Sequence, residues 1–265
     1  MTQYAYLVVE GPHDVEFVGR FLKLKGFSRV QDKRKLDKFW EPLVPKTFPY
    51  KNDLLRRVPV PTFFKSATHS IALHNATGDT NIINTIEETR EVISWEGLVG
   101  LGIVLDADSK VSPKERFDNI KEGLQKRDII SELPESPGKI LQGKPHCGIF
   151  IMPDNCSAGT LEDLLLECAE LVYSPLLEYT KTFLDCVKPV VTQFEKEKER
   201  KDFEKQAGDK KVMVGCIANV LRPGKAVQVS IQDNRWITEE TVRLPSLAHF
   251  DTFLQDLFAL STSST

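Results

Sequence analysis

The chain has 265 residues, 41% of them hydrophobic and 28% charged, with a net charge of −3. That is the make-up of a folded protein long enough for a sizeable core. It excludes wholesale disorder, a collagen-like fibre and a disulfide-stapled miniprotein.

No apolar run approaches the ~20 residues that cross a bilayer. The opening segment, MTQYAYLVVEG, has no basic n-region and no small-residue cleavage site, so no signal peptide is expected. The five cysteines, Cys147, Cys156, Cys168, Cys186 and Cys216, include no CxxC pair. Neither a disulfide framework nor a structural zinc site follows from that spacing, and a cytoplasmic protein with reduced thiols is expected. Charge is unevenly spread. Between Arg20 and Arg57 there are 12 Lys or Arg against 4 Asp or Glu. Such a stretch is either a polyanion-facing region or a solvated surface.

Residues 4–9, YAYLVV, read as a buried strand. Glu10-Gly11-Pro12-His13-Asp14 breaks it, and apolar residues at 15, 17, 18, 21, 22 and 24 then predict an amphipathic helix. Residues 31–66 carry five prolines among many basic residues and predict an irregular insertion with at most one short helix. Its aromatics, Phe39, Trp40, Phe48, Tyr50, Phe63 and Phe64, suit either base stacking or anchorage to the core. Ser70–Asn75 reads as a second strand. A helix over about 81–93 follows, capped by Asp79 or Thr80. Val99–Leu105 is a third strand ending in Asp106-Ala107-Asp108-Ser109. Ser112 then caps a helix that has Pro113 at its first position. Cys147–Met152 is a fourth strand ending at Asp154, and Gly159-Thr160 opens another helix.

The alternation is βαβαβαβα to about residue 172, which predicts a mainly parallel sheet with right-handed crossovers. Beyond it the chain reads as helical. Helices are expected over 175–187, over a charged and nearly balanced 190–206, over 211–220, and over 250–260. A domain of residues 1–172, interrupted by the 31–66 insertion, therefore precedes a helical extension of 173–265.

Glu10, the Asp106/Asp108 pair and Asp154 each follow a predicted parallel strand. In open α/β sheets ligands bind at the carboxyl ends of the strands, so groups far apart in sequence can converge there. Clustered carboxylates repel one another, and a hard cation such as Mg²⁺ relieves the repulsion. Each acid alone is equally well read as a turn or cap residue. Their order along successive strands points to metal-assisted phosphoryl chemistry.

Val8-Val9-Glu10-Gly11-Pro12-His13-Asp14, taken with Val104-Leu105-Asp106-Ala107-Asp108-Ser109, resembles a TOPRIM domain, the Rossmann-like fold of topoisomerases, primases and certain nucleases. The E-x-x-x-D form of Glu10 and Asp14 is similar to that of the OLD-type nucleases. Gly159-Thr160-Leu161-Glu162-Asp163 resembles a later G-x-x-E element of the same branch. The stretch from Lys211 through Arg222-Pro223-Gly224, Trp236 and the 250–258 helix is similar to the ending of a small TOPRIM-related prokaryotic family.

The resemblance implies a divalent-metal-dependent nuclease. Glu10, Asp106 and Asp108 would be catalytic, Mg²⁺ or Mn²⁺ would be held by Glu10, Asp14, Asp106, Asp108 and Glu162, and Lys211 (or Lys210) would stand near the scissile phosphate. DNA or RNA is the expected partner, with Lys33, Arg34, Lys35, Arg56 and Arg57 contacting it. No Walker A motif is present, so the ABC-like ATPase that accompanies OLD-type nucleases would be a separate chain. Self-association is compatible with all of this.

A topoisomerase would need a tyrosine domain, for which this chain is too short. A bacterial primase would usually bring a zinc domain. A haloacid-dehalogenase-like phosphatase would carry its D-x-D after the first strand, not the third. A non-catalytic module on the same fold is the alternative. His13 and His74 fall near the same edge and could transfer protons. Ser109 could cap a helix or touch phosphate.

Overall fold

The computed structural model describes residues 1–47, 60–107 and 111–260. Arg56, Arg57, Phe48, Tyr50, Asp108 and Ser109 therefore lie outside the described residues. Among the described residues seven strands form one sheet: β1 (Gln3–Val9), β2 (Ser28–Val30), β3 (Thr62–Lys65), β4 (His69–Asn75), β5 (Leu98–Asp106), β6 (Ile140–Leu141) and β7 (His146–Met152), in the order β2-β3-β4-β1-β5-β7-β6. The four central strands β4, β1, β5 and β7 are parallel, whereas β2, β3 and β6 join antiparallel at the edges. The fold is thus α/β with a mainly parallel sheet flanked by helices. The parallel strands read as unbroken apolar runs because both sheet faces are covered. In β1, Ala5, Leu7 and Val9 enter one core while Tyr6 and Val8 enter the other.

Helices α1 (Pro12–Leu24), α4 (Leu161–Val172), α7 (Gly208–Leu221), α8 (Val227–Asp233) and α9 (Pro245–Leu257) contribute to the first core. Helices α2 (Ile82–Arg90) and α3 (Pro113–Lys126) contribute to the second. Helix α5 (Ser174–Val191) packs on α4 and α7, outside them. A short α6 (Glu197–Arg200) follows it. The C-terminal helices share the first core with the sheet. Glycines set how closely α9 approaches: a Cβ on Gly100 would lie 2.1 Å from the Leu257 carbonyl oxygen, and one on Gly148 2.8 Å from the Phe253 ring.

Several expectations need correction. The charged helix over 190–206 is reduced to the four residues of α6. Past Val190 and Val191, which end α5, that stretch has only Phe194 and Phe203 to bury, and ion pairs such as Arg200–Glu204 at 3.2 Å add only about 0.3–0.5 kcal/mol each. In the described parts of the 31–66 segment, 31–47 and 60–66, there are two 3₁₀ turns (Lys33–Lys35 and Lys38–Leu43) and β3, more regular structure than expected. Trp40 is fully buried, its indole N–H donating to Ser70 Oγ at 2.9 Å, and Phe39 stacks on Tyr4 at 4.3 Å. These aromatics, with buried Phe63 and Phe64, are therefore core anchors and not base-stacking platforms. Neither Asp79 nor Thr80 caps α2: a 3₁₀ turn over Asp79–Asn81 precedes it, with Asn81 at the N-cap. Ser112 does cap α3, accepting from the Glu115 N–H at 3.2 Å.

Candidate functional site: a carboxylate cluster at the strand ends

Strand β1 ends at Val9, and Gly11 begins the first turn of α1. The intervening Glu10 is held through its backbone, its carbonyl accepting from the Gly78 N–H at 2.9 Å. Gly78 adopts φ +117°, a left-handed conformation that favours glycine. The Glu10 side chain reaches across to β5, where Oε2 accepts from the Asp106 N–H at 3.4 Å. Asp106, the last residue of β5, in turn accepts from the Leu161 N–H at 2.9 Å through Oδ1. One contact chain thus links β1, β5 and the start of α4.

Two helices begin at this edge with the same device. Asp14, third in α1, accepts from the Gly11 N–H at 2.7 Å, and Asp163, third in α4, accepts from the Thr160 N–H at 2.9 Å. In both, a third-position carboxylate caps the N–H that opens the helix, and both helix dipoles present their positive ends to the acids. Asp14 is 7% exposed and Glu162 6%.

Burial, then Glu10 and Glu162, push the Asp14 carboxyl up to about 7, against the pull of the Gly11 N–H. Burial raises Asp106 well above the carboxylate range, and the charges of Asp14, Glu10 and Glu162 raise it further. Glu10, Asp14, Asp106 and Glu162 therefore form one mutually repelling group. Among the described residues no Lys or Arg forms an ion pair with Asp14, Asp106 or Glu162. His13, half-buried between Glu162 and Lys211, is held below the usual histidine range by burial, with Glu162 opposing and Lys211 reinforcing.

A cleft of about 680 Å³ opens above Glu10 and Asp106. Gly159 and Thr160 line it, together with a stretch that carries Lys201, Lys205, Lys210 and Lys211 but also Asp202 and Glu204; Lys205 is paired with Asp202 at 2.5 Å. Lys211 is exposed. Lys210 is tied to Asp163 at 2.6 Å, so its charge is already matched.

The remaining candidates fall elsewhere. Asp154 does not line this cleft; its carboxylate closes its own turn, accepting from Cys156 N–H, Ser157 N–H and Ser157 Oγ–H at 2.9, 2.6 and 2.8 Å. Those bonds hold its pKa down despite partial burial. His74 Nδ1 meets the Tyr6 hydroxyl at 2.6 Å, in a network with Thr89. Lys33, Arg34 and Lys35 are exposed. They follow β2, which runs in the same direction as β4 and β1, so the chain leaves the sheet towards the edge that carries the acids. Arg34 is paired with Asp32 at 2.6 Å.

The donor set is all oxygen, with Asp14 and Glu162 buried, the ligand chemistry that suits a hard divalent cation. Among the described residues no group of three or more His, Cys, Asp or Glu is placed to hold a metal ion; Asp108, the second acid of the D-x-D pair, lies outside them. Sequence reasoning did not single out the facing Lys201 and Lys205. Their placement depends on where the irregular 192–207 stretch folds back, and no local pattern encodes that.

Fold and site together describe an α/β protein with a carboxylate cluster under a cleft at the carboxyl edge of a mainly parallel sheet. The chain belongs to the family described as "Protein of unknown function (DUF3226)", which it matches over residues 4–259. No curated protein matches it. A solved structure, that of the hypothetical protein PH0156 from Pyrococcus horikoshii OT3, is similar with a TM-score of 0.55 at 16% identity, covering 97% of this chain and 95% of that one. At that identity the likeness shows the fold alone.

Proposed function

We propose that the protein is a divalent-metal-dependent nuclease that hydrolyses phosphodiester bonds on a TOPRIM-like sheet. The observation that carries this reading is the convergence of Glu10, Asp14, Asp106 and Glu162 beneath a cleft with a lysine-bearing wall. Glu10, Asp106 and Asp108 would hold Mg²⁺ or Mn²⁺, with Asp14 and Glu162 as ligands of a second ion. The ion would supply Lewis-acid activation of phosphate and water. Glu10 is suited to take or give a proton at the attacking or leaving oxygen. Lys211, which lines the same cleft, would neutralise a phosphate oxygen, while Lys210 stays with Asp163. Lys33, Arg34, Lys35, Arg56 and Arg57 would bind the DNA or RNA backbone.

We further assign the protein to the cytoplasm, with a separate ABC-like ATPase as partner. Unpaired thiols at Cys147, Cys156, Cys168, Cys186 and Cys216 support the compartment. Among the described residues no helix is long and apolar enough to cross a membrane.

A non-catalytic binding module on the same fold is the second reading, favoured because no three His, Cys, Asp or Glu among the described residues are placed to hold a metal ion. One experiment separates the two. Purified protein is incubated with plasmid, linear single-stranded DNA and total RNA in Mg²⁺, Mn²⁺ or EDTA, beside Asp106→Ala. Cleavage that needs the cation and disappears in the variant is expected. Cleavage unchanged in Asp106→Ala would sink the assigned site. Absence of both cleavage and a cation-dependent rise in melting temperature would favour the binding module.

A further inference from the structure

Helix α5 is the outer layer of the molecule, yet it is not polar on its outer side. Leu177, Thr180 and Leu184 form its buried face. Its charged residues, Glu178, Lys181, Asp185 and Lys188, share a second sector, where Lys181 pairs with Glu178 at 2.9 Å and Lys188 with Asp209 at 2.7 Å. Tyr179, Phe183, Cys186 and Val190 fall on a third. Their i, i+4, i+7, i+11 spacing is one continuous stripe. Tyr179 is 74% exposed, Phe183 49% and Val190 54%, and Cys186 is exposed beside them. Phe194, 39% exposed, extends the stripe past the helix end. No charged residue interrupts it; Thr182 and Pro189 flank one side, Leu176 and Val187 the other.

We propose that this stripe is a homodimer interface, in which two copies pair their α5 helices antiparallel about a two-fold axis near Phe183. A stripe that meets its own copy must be self-complementary. With the axis at Phe183, the protruding Tyr179 falls opposite the partner's Val187, and Val190 falls opposite the partner's Leu176. The two Phe183 rings meet at the axis, and Tyr179 and Leu176 each meet a valine on either side of it. The charged sector points away from the axis, so no like charges are brought together. Area argues for the same occupant. The four exposed apolar side chains present about 400 Å², at the scale of a patch that marks an interaction site. An 18-residue helix is about 27 Å long, and pairing the stripe and its flanks along it buries roughly 500 Å² per copy, about 1,000 Å² in all, the lower end for a specific interface. The proposal stands independently of the nuclease reading.

The test uses the full chain in size-exclusion chromatography with light scattering. The expected mass is twice 30.0 kDa. Phe183→Glu, a surface change, is expected to weaken self-association by at least about tenfold with an unchanged melting curve for the monomer. A short bismaleimide is expected to join the two copies through Cys186, and Cys186→Ser to abolish that product. A wild-type monomer at tens of micromolar overturns the proposal. So does a Phe183→Glu protein that remains a dimer, or cross-linking that survives Cys186→Ser in full.

Discussion

Asp106 serves two purposes that conflict without a cation. Its Oδ1 accepts the first N–H of α4, which ties β5 to that helix. Its negative charge, however, lies among three other acids in a buried site. Asp106→Asn keeps an acceptor for Leu161 and removes the charge. In EDTA the variant is expected to be more stable than the wild type by about 1 kcal/mol, the usual scale on relieving like-charge repulsion. It is also expected to lose the rise in melting temperature that Mg²⁺ or Mn²⁺ gives the wild type. Thermal melts with and without cation check both, and an equal cation response in the two proteins would remove Asp106 from the site.

His69 behaves differently. It is 4% exposed at the start of β4, with Nδ1 at 2.8 Å from Thr68 Oγ1. Burial holds its pKa below the ordinary 6.5, the Phe258 carbonyl opposing in part. The folded protein therefore takes up this proton less readily than the unfolded chain. The stabilisation is complete above about 6.5 and is lost as the pH falls through the lower folded value. Urea unfolding at pH 7.5 and 5.5 should show a smaller loss for His69→Asn than for the wild type; equal losses would mean that His69 does not contribute.

Glu10 and Asp106 were legible in the sequence because they end apolar strands. The pairing of Lys210 with Asp163 was not, because it depends on where α7 sits.

Elements were legible where they carry their own pattern. The four parallel strands are apolar runs with helix caps after them, so the α/β alternation follows directly. The edge strands β2 and β6 are three and two residues long and exist only through their partners, which no short-range signal records. The 190–206 stretch shows the opposite failure: good helical charge spacing without an apolar face does not hold a helix.

Glycines in β5 and β7 have a structural meaning that strand periodicity hides. They form a lane into which α9 settles. Gly100→Ala would drive its Cβ into the Leu257 carbonyl, 2.1 Å away. The expected loss is about 1–3 kcal/mol, as for overpacked cores, read as a lower urea midpoint. An unchanged midpoint would mean that α9 shifts freely on the sheet.

At the scale of the whole molecule, charge is segregated. The acids converge at one sheet edge, and the basic triplet Lys33-Arg34-Lys35 leaves the sheet towards that same edge, beyond β4 and β3. If the triplet touches a nucleic-acid backbone, reversing all three charges should weaken binding and flatten its dependence on salt, the slope falling by about 0.7–0.9 for each phosphate no longer neutralised. Fluorescence anisotropy over a salt series measures this, and an unaltered slope would return the triplet to plain solvated surface.

The glycine lane also bears on how the chain is made. The parallel strands β4, β1, β5 and β7 are complete once Met152 has been synthesised, but Phe253 and Leu257, which fill the lane over Gly100, Gly102 and Gly148, follow about a hundred residues later. At ~5–20 residues per second the ribosome leaves that trough open to water for roughly 5–20 s. During that interval the nascent chain carries an exposed apolar furrow fit for chaperone capture, and the arrival of α9 closes it.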